Sequence, residues 1–235
     1  MMKAAPWPVT ALFLLSLALN LWLAGVPDWR WIPGVAAGWY IADLLSGLTH
    51  MYMDYRPCTP GVGLERMFHY PGSRESAEYL ALRDGVLPRI SPFERLVYDF
   101  KNHHPRPEAL GRRPFLVQIG STILFLSLPF SIVLNLLCMA VGLPGWLIAG
   151  AVTLTVGGTL AQYFHGTLHR SDNVWVIRAT RRVGLLMTPE AHALHHQTLR
   201  RDFATNTGWS NPLVNAIFRV AMRRGWLDEA GLEPR

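Results

Sequence analysis

Four long apolar blocks leave this chain few folds. They run over residues 10–26, 31–49, 115–141 and 146–164, and Asp43 is the only charged side chain in any of them. A stretch of roughly 17–25 apolar residues crosses the hydrocarbon core of a bilayer as a helix. The blocks therefore predict an all-α integral membrane protein with four transmembrane helices. Charged residues make up 16% of the chain, against about 25% in soluble domains, which argues against a large soluble core. Residues 1–235 are read as a single domain. Before the first block Lys3 is the only charge, and no small-x-small cleavage site follows it. That block is therefore expected to be a retained helix rather than a signal peptide. Pro129 predicts a tilt or kink in the third span, and the Gly-Leu-Pro-Gly run at 142–145 predicts a turn before the fourth. Gly150, Gly157 and Gly158 are expected to allow close helix approach.

Four spans place both termini and the two polar stretches, 51–114 and 166–235, on one side. Every Lys and Arg except Arg30 lies on that side, so the positive-inside rule makes it cytoplasmic. The same pattern accounts for the net charge of +6 without a nucleic-acid partner. Cys58 and Cys138 form no CxxC motif, which excludes zinc knuckles and thioredoxin-like chemistry.

All nine histidines fall at cytoplasmic span ends or in the two polar stretches. His50 follows Asp43 by seven residues and precedes Asp54 by four, so the three share a helix face. His50 is a candidate ligand at the membrane exit, and Asp54 a candidate catalytic acid, ligand or partner of a ligand. His103 and His104 close a helix predicted over 92–104, opened by Ser91 as N-cap, Pro92 and a capping-box Glu94. Neighbouring helical positions differ by about 100°, so the two can reach different ions. His165 and His169 have the i,i+4 spacing that lets two imidazoles reach one metal, and Gln162 lies one turn earlier, placed to orient one of them. Thr188 and Pro189 predict another helix start, which puts His192, His195 and His196 on one face. Three imidazoles within about one and a half turns are hard to explain as packing. His69 has no neighbour of its kind and reads as a surface residue.

Eight such histidines are twice what one zinc site needs, and no HExxH supplies a general base. They suggest two metals with about four histidines each. Haem fits poorly, because axial histidines would lie inside facing spans. A centre under the membrane surface suggests a lipid-chain substrate, and attack on an unactivated methylene requires an O2-activating metal. Desaturation and hydroxylation both remain open on these grounds, as does a non-catalytic membrane protein that binds metal or haem.

The motifs Ala42-Asp43-Leu-Leu-Ser46-Gly47-Leu-Thr-His50-x3-Asp54, His103-His104-x2-Pro107, Phe164-His165-x3-His169, Gly184-Leu-Leu-x4-Ala191-His192-x2-His195-His196 and Thr207-Gly208-Trp209 resemble the Kua/CarF lipid desaturase family. The match spans residues 35–215 in order. The family includes plasmanylethanolamine desaturase and a plant plastid enzyme that introduces a trans-3 double bond into palmitate on phosphatidylglycerol. The resemblance implies an O2-dependent oxidoreductase with two iron ions. Their ligands would be His50, His103, His104, His165, His169, His192, His195 and His196, with Asp54 at the family's acidic position. Two features depart from the plasmalogen branch. Arg113-Pro114 stands where that branch has a His-Asp pair, and the 60–92 stretch is longer.

Residues 212–226 alternate apolar positions (Leu213, Ala216, Ile217, Val220, Ala221) with Arg219, Arg223 and Arg224. This predicts a helix that lies on the membrane surface or packs on the cytoplasmic cap. No flavin, nicotinamide or haem-domain motif is present, so an external electron donor is expected. The basic face predicts an acidic carrier, such as a ferredoxin or a cytochrome b5-like protein.

Overall fold

A computed structural model of the chain describes residues 7–235; Lys3 lies outside them. Regular structure among the described residues is entirely helical. The long helices are α1 (Trp7–Leu23), α2 (Trp31–Tyr55), a continuous helix formed by α7 (Phe115–Thr122), a π-helical turn at Ile123–Ser127 and α8 (Leu128–Val141), and α9 (Gly145–Leu168). Short helices α3 (Leu64–Phe68), α4 (Ala77–Val86), α5 (Pro92–His103) and α6 (Pro107–Gly111) follow α2. Helices α10 (Trp175–Arg182), α11 (Pro189–Thr198) and α12 (Asn211–Arg223) follow α9.

Among the described residues, two helices, Phe115–Val141 and Gly145–Leu168, are long and apolar enough to cross a membrane. The expectation of four is corrected. Helix α1 is apolar and has 17 residues among those described. Helix α2 has 25 residues, but its glycines, Trp39, Tyr40 and Asp43 lower its hydropathy. It also runs past the expected end at 49 to Tyr55, carrying His50 and Asp54 on one continuous helix.

Helices α2 and α9 form the central pair. A Cβ at Gly34 would overlap the Trp146 carbonyl oxygen, and one at Gly38 would overlap that of Gly150. One at Gly157 would press on Ala42. Small residues thus let the two backbones touch, as expected of Gly150 and Gly157. Gly158 faces open space, so its expected role is corrected. Helix α1 packs on α8 through a buried polar seam. Ser16 Oγ lies 2.7 Å from Ser131 Oγ, Asn20 Nδ2 donates to Ser131 Oγ at 2.6 Å, and Asn135 Nδ2 donates to the Ser16 carbonyl at 3.1 Å. The expected irregularity at Pro129 takes the form of the π turn just before it. Widening the helix there accommodates a residue that cannot donate to the carbonyl one turn back. Gly142, with φ of 65°, ends α8 and opens the predicted turn.

The predicted N-caps are present: Ser91 Oγ accepts from Glu94 N and Thr188 Oγ accepts from Ala191 N. Glu94 does not complete a capping box. Its carboxylate accepts instead from Thr59 N at 2.6 Å, which ties α5 to the turn after α2. The 60–92 stretch builds a small core of its own, in which Leu64, Met67, Phe68, Tyr79 and Val86 pack with Val97 and Tyr98 of α5. Helix α12 buries Val214, Phe218 and Ala221, with Val214 and Phe218 in the cluster formed with Met51 and Tyr55 of α2. Leu213, Ile217 and Val220 remain exposed as a separate apolar stripe.

Candidate metal centre

The eight candidate histidines come from four places in the sequence, and the fold brings all of them together. Helix α2 supplies His50 and Asp54. The end of α5 supplies His103 and His104. The end of α9 supplies His165 and His169, and α11 supplies His192, His195 and His196. They form two groups of inward-facing donor atoms. One holds His103, His165, His169, His192 and His196; the other holds His50, Asp54, His104 and His195. Within each group the donors lie within 4.8 Å of one another. The adjacent pair His103–His104 is split between the groups. On α11, His192 and His196, one turn apart, share a group, and His195 faces the other. His69 stays apart and exposed, 3.9 Å from Glu233. Gln162 forms no hydrogen bond to a histidine; it lines an opening beside His165.

The spacings match what a metal requires. Ligands about 2.1 Å from one ion stand roughly 3.0–3.4 Å from each other in octahedral to tetrahedral geometry. His192 Nε2 lies 3.1 Å from His165 Nε2 and 3.2 Å from His196 Nε2. His195 Nε2 lies 3.4 Å from His104 Nε2. The Asp54 carboxylate lies 3.4 Å from His50 Nε2, 3.4 Å from His104 Nε2 and 3.3 Å from His195 Nε2. The Nε2 atoms of His50, His103 and His169, and both Asp54 oxygens, are buried without a hydrogen-bond partner. A buried, unsolvated carboxylate facing imidazole lone pairs is costly unless a cation lies between them. The residues therefore fit metal ions.

The far side of the rings fixes which nitrogen faces inward. His50 Nδ1 donates to the Phe203 carbonyl at 2.9 Å, and His195 Nδ1 donates to the Arg201 carbonyl at 2.9 Å. His103 Nδ1 donates to the Phe100 carbonyl. With the proton on Nδ1, each Nε2 keeps its lone pair for a ligand bond. Burial also disfavours the charged form at four of the rings outside the long helices. It holds His103 and His192 well below the usual imidazole range, and the neighbouring imidazoles push the same way. The same two causes lower His169 to about 4 and His196 to about 3.

The carbonyls of Arg201 and Phe203 belong to a segment that sequence reasoning missed. Residues 202–206 are buried yet not helical, and Leu199 and Asp202 have positive φ. Ser46 Oγ accepts from Thr205 N, and Asn211 Oδ1 accepts from Ala204 N. Asp43, which shares the α2 face with His50, clamps the end of the same segment. Its carboxylate accepts from Thr207 N at 2.7 Å, Gly208 N at 3.0 Å, Ser210 N at 2.9 Å and Ser210 Oγ at 2.7 Å. Asp43 is thus a structural clamp, and the Thr207-Gly208-Trp209 motif is its partner.

The opening beside the histidines is lined by Leu96, Asp99, Phe100, Leu110, Arg113 and Gln162, with His103 and His165 at its inner end.

A sequence profile of the lipid desaturase domain matches residues 93–235, well over half of the chain. The chain belongs to the Kua/CarF lipid desaturase family. It is 27% identical over 229 residues to a plasmanylethanolamine desaturase of Myxococcus xanthus, covering 94% of this chain and 69% of that protein. No solved structure matches. As a member of this family the protein is an oxidoreductase, a lipid desaturase, which removes the non-catalytic reading. His50 and Asp54 precede the profile match, but the fold returns them to the histidines within it.

Proposed function

We propose that this desaturase is a membrane-embedded, O2-dependent di-iron enzyme. It introduces a C=C bond into an alkyl or acyl chain of a glycerophospholipid, in the manner of plasmanylethanolamine desaturase. The observation that carries this reading is the division of nine donor side chains into two adjacent groups, five histidines against three histidines and Asp54. One ion does not use nine donors. Ring centroids 4.3–4.8 Å apart across and within the groups leave no space for a porphyrin between them.

The reaction takes two hydrogens from neighbouring chain carbons. O2 accepts those two electrons and two more from an external carrier, and with the matching protons becomes two waters. Bound iron would supply the O2-activating redox chemistry that side chains lack. The chain's residues do the rest. The Nδ1 hydrogen bonds aim the imidazoles, and Asp54 offsets cationic charge. Phe100 and Phe203, which pack edge-on to His50, exclude water from the rings.

Exposed apolar side chains on α1 and α8, among them Leu14, Leu15, Phe130, Val133 and Leu136, support a lipid environment, with the histidines on the cytoplasmic side. The exposed stripe of α12 suits the membrane surface, and the basic cap suits an acidic electron carrier. The second reading is desaturation of an acyl rather than an alkyl chain, because the same donors serve both. Purified protein supplied with an alkyl-acyl glycerophosphoethanolamine, O2 and a reduced carrier tests the choice. Product lighter by two hydrogens in the alkyl chain is expected. Loss of the two hydrogens from the acyl chain would replace the plasmanylethanolamine-type reading, and zinc without iron would overturn the di-iron one.

A further inference from the structure

The pair Arg113–Asp99 has no part in the metal centre, yet it stands in the opening that leads to it. Arg113 Nη2 lies 3.1 Å from Asp99 Oδ2. Both side chains are partly exposed and line the same cavity as His103 and His165. An ordinary surface pair would be free to drift, but Arg113 is fixed at its backbone. Gln118 Nε2 donates to the Arg113 carbonyl at 2.6 Å, and Gln118 itself packs on Gly166, next to His165. Gly111 lets α6 press on the carbonyls of Gly166 and His169. The arginine's position is therefore tied to the helix end that carries two candidate ligands.

Its level matters as well. Arg113 precedes by two residues the 27-residue apolar helix that begins at Phe115. This is the depth at which a bilayer places phosphate groups. Leu96, Phe100, Ala109 and Leu110 line the same small cavity and give it an apolar wall beside His103 and His165. Gln162 adds an amide on the α9 side.

We propose that Arg113 and Asp99 form a headgroup site for a zwitterionic phospholipid. The guanidinium takes the phosphate, and the carboxylate takes the ammonium group. This rests on the reading of the substrate as a glycerophospholipid. It assigns Arg113 and Asp99 as specificity-determining residues: a headgroup held there places the chain carbons nearest the glycerol over His103 and His165. Neutral lipids leave the two side chains paired with each other and so gain nothing from either charge, and Asp99 disfavours purely anionic headgroups.

The test is equilibrium binding of an alkyl-acyl glycerophosphoethanolamine with a fluorophore on its second chain, to full-length protein in detergent. Competing lipids carry a phosphoglycerol headgroup or no phosphate. Binding is read without turnover, and metal content is measured in parallel. The wild type is expected to prefer the phosphoethanolamine lipid. Arg113→Gln is expected to weaken its binding about tenfold or more, with no change for the phosphate-free lipid and with metal retained. Asp99→Asn is expected to abolish the preference over phosphoglycerol. The charge-swapped double variant Asp99→Arg/Arg113→Asp keeps the ion pair, so it would rescue a purely structural role. It is expected to bind no better than Arg113→Gln. Unchanged binding by Arg113→Gln, or full rescue by the swap, would overturn the headgroup site. Arg113-dependent binding of a lipid that the wild type never desaturates would support the headgroup site and count against the substrate reading alone.

Discussion

His50 and Phe203 stand 153 residues apart in sequence, yet the ring of one donates to the backbone carbonyl of the other at 2.9 Å. This contact holds a candidate ligand by a buried, non-helical strand of chain. The strand is positioned in turn by Gly47, where an added Cβ would sit 3.0 Å from the backbone nitrogen and Cβ of Ala204 and from a Val214 methyl. Gly47→Val should push the strand away and free the His50 ring. Partners of this kind are worth about 10–100-fold in metal affinity, so a loss of that size is expected in a metal titration. Gly47→Ala should lose less, since a shift of a few tenths of an ångström accommodates it.

Asp43 and Asp54 lie on the same helix and are both fully buried, but their surroundings assign them opposite roles. Asp43 accepts four hydrogen bonds; Asp54 accepts none from a donor outside the histidine group. Asp43→Asn puts an amide N–H₂ against N–H or O–H donors and should destabilise the fold by about 3 kcal/mol, read as a lower denaturation midpoint. Asp54→Asn should leave the metal-free midpoint within about 1 kcal/mol of the wild type's and lower the metal content instead. Equal loss of stability in the two variants would contradict this division.

The two donor groups make a stoichiometric prediction. His169→Ala and His196→Ala each remove a donor from the five-histidine group. His104→Ala removes one from the group that contains Asp54, which has only four to begin with. His104→Ala should therefore lower metal content from about two ions per chain towards one, and His169→Ala should do so less completely. Elemental analysis of purified variants reads this directly, and chelation should lower the denaturation midpoint of the wild type by mass action.

The helical fold and the histidine set were legible because both rest on short-range pattern. Ser91 and Thr188 announce their helices by side-chain chemistry, and the i,i+4 spacing of His165–His169 and His192–His196 maps onto shared groups. Assignment of His195 to the second group was not legible. The 100° between it and His196 does not say where a partner such as Asp54 will stand. The 202–206 segment was also missed. Buried irregular backbone has no period, and its contribution is made by carbonyl oxygens, which every residue carries. The number of membrane-crossing helices was overread in α2, where low charge was taken for high hydropathy although glycines and aromatics fill its first half.

Those glycines lead to the last prediction. Along α2 and α9, Gly38 and Gly150 bring two backbones into contact, and a side chain at Gly38 has nowhere to go except into the Gly150 carbonyl. Carbonyl oxygens of a helix cannot swing aside as a flexible side chain can, so the helices themselves must separate. Both helices carry donors at their far ends, His50 and Asp54 on one and His165 and His169 on the other. Separation would therefore damage packing and metal binding together. Gly38→Val should cost about 3 kcal/mol or more and lower folded yield and metal content in step. Gly158, on the same helix as Gly150, meets nothing within 4 Å. Gly158→Ala should fold and bind metal like the wild type, with a small gain from helix propensity, about 1 kcal/mol at most. Thermal denaturation of the two variants in the same detergent separates close helix approach from a general intolerance of α9 and its partner to substitution.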